Sequence, residues 1–72
     1  MRHRLRRVRV HLADPHPSTN LPSIEGLLLG KGREYRIAVP SLLVAQGANP
    51  AELDSREVVI PRERIAFYEV LS

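Results

Sequence analysis

A small all-β barrel of five strands is the fold this sequence predicts, and three observations predict it. Apolar and polar residues alternate along several short stretches, Pro and Gly punctuate the chain between them, and no stretch keeps a helical period. Seventy-two residues leave room for one domain. The 43% apolar content is that of a globular chain, yet no apolar run approaches the roughly 18 residues of a membrane helix. With no cysteine, neither disulfides nor thiolate metal sites staple the fold, so packing and self-association must stabilise it.

The elements follow in order. From Arg7 to Leu12 the chain alternates, with Val8, Val10 and Leu12 on one face and Arg7, Arg9 and His11 on the other, the period of a half-buried strand. Between Asp14 and Ser23, Pro15, Pro17 and Pro22 remove amide donors and fix φ, so this stretch reads as a rigid loop. Ile24 to Leu29 resumes a strand, and Gly30-Lys31-Gly32 supplies left-handed residues for a tight hairpin into Arg33 to Val39. In that return strand Tyr35, Ile37 and Val39 share a face, and Pro40 ends the pairing. Ser41 to Gln46 fits either a short helical turn or a continuation of the strand. Asn49-Pro50-Ala51-Glu52 has an N-cap side chain, a proline at the first helical position and a glutamate to close the box, which predicts one helical turn near residues 50–53. Glu57 to Ile60 and Ile65 to Leu71 complete the five strands, joined by the polar Pro61-Arg62-Glu63-Arg64. The chain thus divides into a basic arm, residues 1–6, and one barrel domain, residues 7–72.

Charge is unevenly placed. Arg2, Arg4, Arg6, Arg7 and Arg9 fall in the first nine residues with no acidic residue among them, whereas residues 10–72 hold six basic side chains against eight acidic ones. A cationic arm on a mildly acidic body predicts an electrostatic anchor whose partner is a polyanion or an acidic protein surface. Arginines interrupt any apolar segment as far as Arg9, so a secretory signal peptide is not expected. Ten Arg against one Lys points to a GC-rich coding genome.

Two strands are apolar on both faces. Ile24, Gly26 and Leu28 alternate with Leu27 and Leu29, and Ile65, Phe67 and Leu71 alternate with Ala66, Tyr68 and Val70. A chain this small buries only about 60% of its unfolded surface, and strands with two apolar faces suit assembly edge to edge. Leu27, Leu29, Val59, Tyr68 and Val70 are the candidate protein interface.

Closure into a small SH3-like or OB-like barrel would remove most of the exposed sheet edge. The run Val58-Val59-Ile60-Pro61-Arg62-Glu63-Arg64-Ile65-Ala66-Phe67-Tyr68-Glu69-Val70-Leu71 resembles the second signature of the Sm-like family, in which a strand ending in Ile-Arg-Gly leads through two polar residues into a final apolar strand. Ile24-Glu25-Gly26-Leu27-Leu28 resembles the Val-x-Gly-x-Leu core of that family's first signature, and the pattern covers most of residues 7–71. The resemblance implies a barrel, and a ring formed by pairing the last two strands between subunits. Family members read uridine with an Asp-x-x-Met-Asn type hairpin and the Arg-Gly pair; here Gly30-Lys31-Gly32-Arg33-Glu34-Tyr35 and Pro61-Arg62 stand in those places, and a basic arm replaces the amino-terminal helix. RNA contact under this reading falls to Arg33 and Arg62. The chain is also similar to short barrel proteins encoded among virion genes of tailed phages of high-GC bacteria. That similarity implies a structural role in the capsid or head-to-tail region.

No catalytic constellation is legible. Ser18, Ser23, Ser41, Ser55 and Ser72 read as turn formers or a terminus, with no nucleophile elbow. His11 and His16, with Asp14 between them, straddle the proline-rich loop and read as a strand residue and a loop residue rather than zinc ligands. The Gly-Lys-Gly turn lacks the longer run of a phosphate loop. Of Tyr35, Phe67 and Tyr68, the first two fall on faces assigned to core or interface, which leaves Tyr68 for base stacking. The expected function is therefore a non-enzymatic assembly protein, a virion component working by edge pairing, apolar docking and the arginine anchor, with an Sm-like RNA-binding ring as the alternative. No cofactor, metal, membrane or small-molecule substrate is expected; partners are further copies or larger virion proteins, with nucleic acid at the arm. The expected location is the cytoplasm during assembly and then the virion.

Overall fold

A computed structural model of the chain describes residues 5–13, 22–44 and 49–72. Arg2, Arg4, Asp14, His16 and Ser18 lie outside the described residues. The fold is all-β, one antiparallel sheet of six strands that is not closed into a barrel. Its strands are β1 (Arg6–Leu12), β2 (Ser23–Gly30), β3 (Glu34–Leu43), β4 (Ala51–Glu52), β5 (Glu57–Pro61) and β6 (Ile65–Val70), and one 3-10 turn, Arg62–Arg64, joins the last two. The order is β4-β3-β2-β1-β6, and β5 lies on the same side of β3 as β4.

Alternation places the core as the sequence implies. Val8 and Val10 are wholly buried, opposite Gly26 and Ile24 of β2, and Ile37 and Ile60 complete the buried cluster. Arg7, Arg9 and His11 take the opposite face, since a strand turns successive side chains to opposite sides.

The sheet is strongly coiled. From β3 to β6 it takes three strand steps, about 14 Å if flat. Yet the Tyr35 and Tyr68 rings, one on each strand, meet edge to face at 5.6 Å between centroids. Bulges account for the bend. Between the pairs Leu27↔Ala38 and Glu25↔Ser41, β2 advances two residues and β3 three, so Val39 is the extra residue. It sits at φ 50° with its side chain 72% exposed.

This bulge corrects two expectations. Val39 does not share a face with Tyr35 and Ile37; Pro40 is buried instead and Leu42 packs against the core. Pro40 also does not end the pairing, because Ser41, Leu42 and Leu43 continue it against Glu25, Ile24 and Ser23. The missing proline amide costs no ladder bond at a bulge, where pairing is already interrupted. The choice left open from Ser41 onward resolves as strand through Leu43, and residues 45–48 lie outside the described residues.

The helical turn expected near residues 50–53 is absent. Ala51 and Glu52 form β4, paired with Leu42 and Ser41, and Leu53 N donates to Pro40 O at 3.5 Å. The local capping signal is outweighed by the pairing that the extended β3 offers to its neighbour. The count is therefore six strands, not five. Of the two hairpin glycines, Gly32 has a positive φ, 159°, which L side chains rarely adopt, and Gly30 does not. Among the described residues, no helix is long and apolar enough to cross a membrane.

Candidate functional site

The outer face of β1 neutralises part of the predicted anchor. Arg9 stands opposite Glu25 on one side and Glu69 on the other, and it reaches both carboxylates, at 3.4 and 3.7 Å. Arg7 adds a second contact to Glu25 at 3.6 Å. A further pair, Arg36 with Glu57, crosses from β3 to β5. The Arg36 hydrogen bond holds the Glu57 carboxyl below its ordinary range, against the opposing effect of desolvation and with the Arg36 charge adding to it. Exposed pairs of this kind contribute about 0.2–1 kcal/mol each. Their effect on function is larger, since Arg7 and Arg9 spend their charge within the sheet. Arg6, although placed in the arm by the sequence, opens β1 opposite Leu28 and makes no ion pair among the described residues.

A hydroxyl, an imidazole and a carboxylate converge beside these arginines. Ser23 Oγ lies 3.1 Å from His11 Nδ1, and His11 Nε2 lies 2.7 Å from a Glu69 carboxylate oxygen. Because the carboxylate only accepts, Nε2 carries the proton and donates; Nδ1 of the neutral ring then accepts from the serine hydroxyl. This hydrogen bond is the first cause of the lowered Glu69 carboxyl, with desolvation opposing it and the Arg9 charge among the smaller causes that add to it. Ser23 is the first residue of β2, not a turn former, and is 3% exposed. A hydroxyl so covered cannot meet a substrate carbonyl, so the group acts as a staple across β2, β1 and β6. The Phe67 ring stacks on the imidazole at 4.3 Å and closes the staple.

Phe67 and Tyr68 exchange the places predicted for them. Tyr68 pairs with Val10 and packs against the core, while Phe67 is 54% exposed on the outer face. A bulge at Ala66, between the pairs His11↔Phe67 and Leu12↔Ile65, lets both Ile65 and Tyr68 face inward. Of the other candidate interface residues, Leu29, Val59 and Val70 are exposed and Leu27 is half-buried.

Among the described residues β4, β5 and β6 each keep a free edge, and the two longer ones are β5 and β6. One edge of β5 pairs with β3 and one edge of β6 with β1, and no ladder joins the two strands to each other. Val59 lies on β5 and Phe67 and Val70 on β6, so each free edge runs beside exposed apolar surface.

At the hairpin end, the coil assembles a basic aromatic cleft. Arg62 N donates to Arg33 O at 2.9 Å, which draws the 3-10 turn onto the hairpin. The cleft, about 370 Å³, is lined by Tyr35, Arg62, Ile65, Ala66, Phe67 and Tyr68, and adjoining recesses of about 310 and 420 Å³ reach Lys31 and Arg33. Lys31 Nζ donates to the Tyr68 hydroxyl at 2.7 Å and lies 5.2 Å from the ring centre. That hydrogen bond, ahead of the charge interaction with the same hydroxyl, raises the Lys31 ammonium above its ordinary range. Arg33 and Arg62, matched to RNA contact by the sequence, are thus brought together, and Lys31 joins them. Sequence reasoning missed Lys31 because its partner is 37 residues away and only the coil unites them.

Set against known protein families, curated proteins and solved structures, the chain matches none of them.

Proposed function

We propose that this protein is a non-enzymatic assembly module that docks through its strand edges, to further copies or to larger subunits, with the arginine arm as an electrostatic anchor. The observation that carries this reading is the pair of free edges on β5 and β6, each flanked by exposed apolar side chains, Val59 on one and Phe67 and Val70 on the other. Free edges are templates for pairing with another chain, and natural proteins blunt them unless they are used. Coiling of the sheet, with Tyr35 against Tyr68, supports reading it as a relative of the small SH3-like and Sm-like barrels. The resemblance of the sequence to tailed-phage virion proteins supports reading the assembly as part of a capsid or head-to-tail region, reached from the cytoplasm.

The test is native mass spectrometry on protein purified without nuclease. A nucleic-acid-free oligomer that Val59→Lys or Phe67→Lys dissociates, with circular dichroism unchanged, is the expected result, because an unpaired charge resists burial at an interface. A chain that stays monomeric across the concentration range sinks the self-pairing form of the reading.

A second reading, an Sm-like RNA-binding ring, is favoured by Lys31, Arg33 and Arg62 around Tyr35 and Tyr68. It expects a ring carrying RNA, with log affinity falling by about 0.7 per neutralised phosphate as log salt rises, and a shallower slope on replacing Arg33 or Arg62.

A further inference from the structure

The Val39 bulge builds a second feature on the opposite flank of β3. Val39 N donates to Arg56 O at 3.1 Å and Leu53 N to Pro40 O, so the segment between β4 and β5 is tied against the bulge by backbone bonds. A groove of about 360 Å³ lies between them, with Val39 and Leu53 as its apolar wall and Glu52 and Asp54 at its rim. Neither carboxylate has an ion-pair partner among the described residues, and Arg56 is the single cation on the groove. The groove calls for an extended segment that carries cations next to apolar side chains.

The chain itself contains such a segment: Met1-Arg2-His3-Arg4-Leu5. We propose that the arm of one copy docks in the Glu52–Asp54 groove of a second copy. This rests on the arm acting as an anchor and names the acidic surface it takes. Charge complementarity selects the occupant, and reach selects the second copy. The arm leaves β1 at Arg6, opposite Leu28, whereas Val39 lies level with Gly26 on the far side of β3. To reach its own groove over the faces of β2 and β3 the arm would have to reverse and follow three strand spacings, about 14 Å of sheet, while also retreating about 7 Å from the level of Leu28 to that of Gly26. Four residues beyond Leu5 extend at most about 14 Å. Docking in trans requires no reversal, and it would use the charges of Arg2 and Arg4, whereas Arg7 and Arg9 are occupied by Glu25 and Glu69.

The experiment is charge exchange on the full chain, read by sedimentation velocity over a concentration series. Reversing the arm (Arg2→Glu with Arg4→Glu) or the groove (Glu52→Arg with Asp54→Arg) is expected to weaken self-association about tenfold, and more at low salt. Mixing the two variants is expected to restore association as a one-to-one hetero-complex. Unchanged dichroism confirms that each variant folds. Association that neither reversal alters, or that mixing fails to restore, overturns the proposal; so does an arm reversal whose only effect is to release co-purified nucleic acid. The Val59→Lys and Phe67→Lys variants, whose substitutions lie outside the groove, separate the two ideas. If they dissociate the oligomer and the charge exchange does not, edge pairing stands and the arm site falls.

Discussion

Replacing Gly26 by alanine tests whether the coil depends on a close approach of β2 to β3. A Cβ at Gly26 would stand 2.5 Å from the Ala38 carbonyl oxygen, 2.5 Å from Ile37 Cγ2 and 3.2 Å from the Val39 carbonyl oxygen. Two of these atoms are backbone at the start of the bulge, so they cannot swing away as a flexible side chain would. Relief requires β2 and β3 to part by about an ångström, where the Leu27↔Ala38 pairing holds them and Ile37 is fully buried. Overpacking costs about 1–3 kcal/mol, and removing a strand glycine returns about 0.5–1 kcal/mol through the unfolded chain. With backbone as the obstacle, a net loss near 2 kcal/mol is expected. A 72-residue domain has roughly 4–11 kcal/mol in total, and a loss of that size lowers the melting temperature by about 8–16 °C. The assay is thermal and urea unfolding followed by far-ultraviolet dichroism, with Gly30→Ala as the matched control. Gly30 belongs to the same strand, and a Cβ there meets nothing within 4 Å. Equal stability of the two variants would refute the close-packing argument.

Two further predictions follow from the bulge and the ion pairs. Val39→Gly is expected to stabilise the fold by about 0.5–1 kcal/mol, because φ 50° strains a β-branched residue and its exposed side chain gives up little packing; a lowered urea midpoint would contradict this. Glu57 and Glu69 ionise more readily in the folded chain than in the unfolded one, so the unfolded state binds more protons as pH falls. Their contribution is present above the ordinary glutamate range and is lost on acidification through the lower folded values. Glu57→Gln and Glu69→Gln should therefore flatten the acid limb of a stability profile, most at low salt, while unchanged limbs would remove these pairs from the pH response.

Under the proposed assembly role the outer face has a consistent logic. Its charges are largely satisfied within the sheet, Arg7 and Arg9 by Glu25 and Glu69, Arg36 by Glu57. Surface available to partners is therefore found at the edges and at the two ends of β3, where Arg33 and Arg62 mark one end and Glu52 and Asp54 the other.

What the sequence by itself determined is local. The alternation of Val8 and Val10 with Arg7 and Arg9 fixes which face of β1 is buried, and Gly30-Lys31-Gly32 marks the hairpin, because period and turn chemistry act over a few residues. The arginine-rich start and the acidic body are likewise plain from composition. Three things were decided only by tertiary structure. Val39 turns outward because a bulge in β3 adds one residue, and one residue exchanges the faces of a strand. Ala51 and Glu52 become strand, despite a helix-capping signal, because β3 continues past Pro40 and offers a partner. Tyr68 goes inside and Phe67 outside because Ala66 bulges against β1, and Lys31 then reaches Tyr68 because the whole sheet coils. Registers and coil are settled by which strands meet, and those contacts join residues 12 to 58 positions apart, beyond the range of any local pattern.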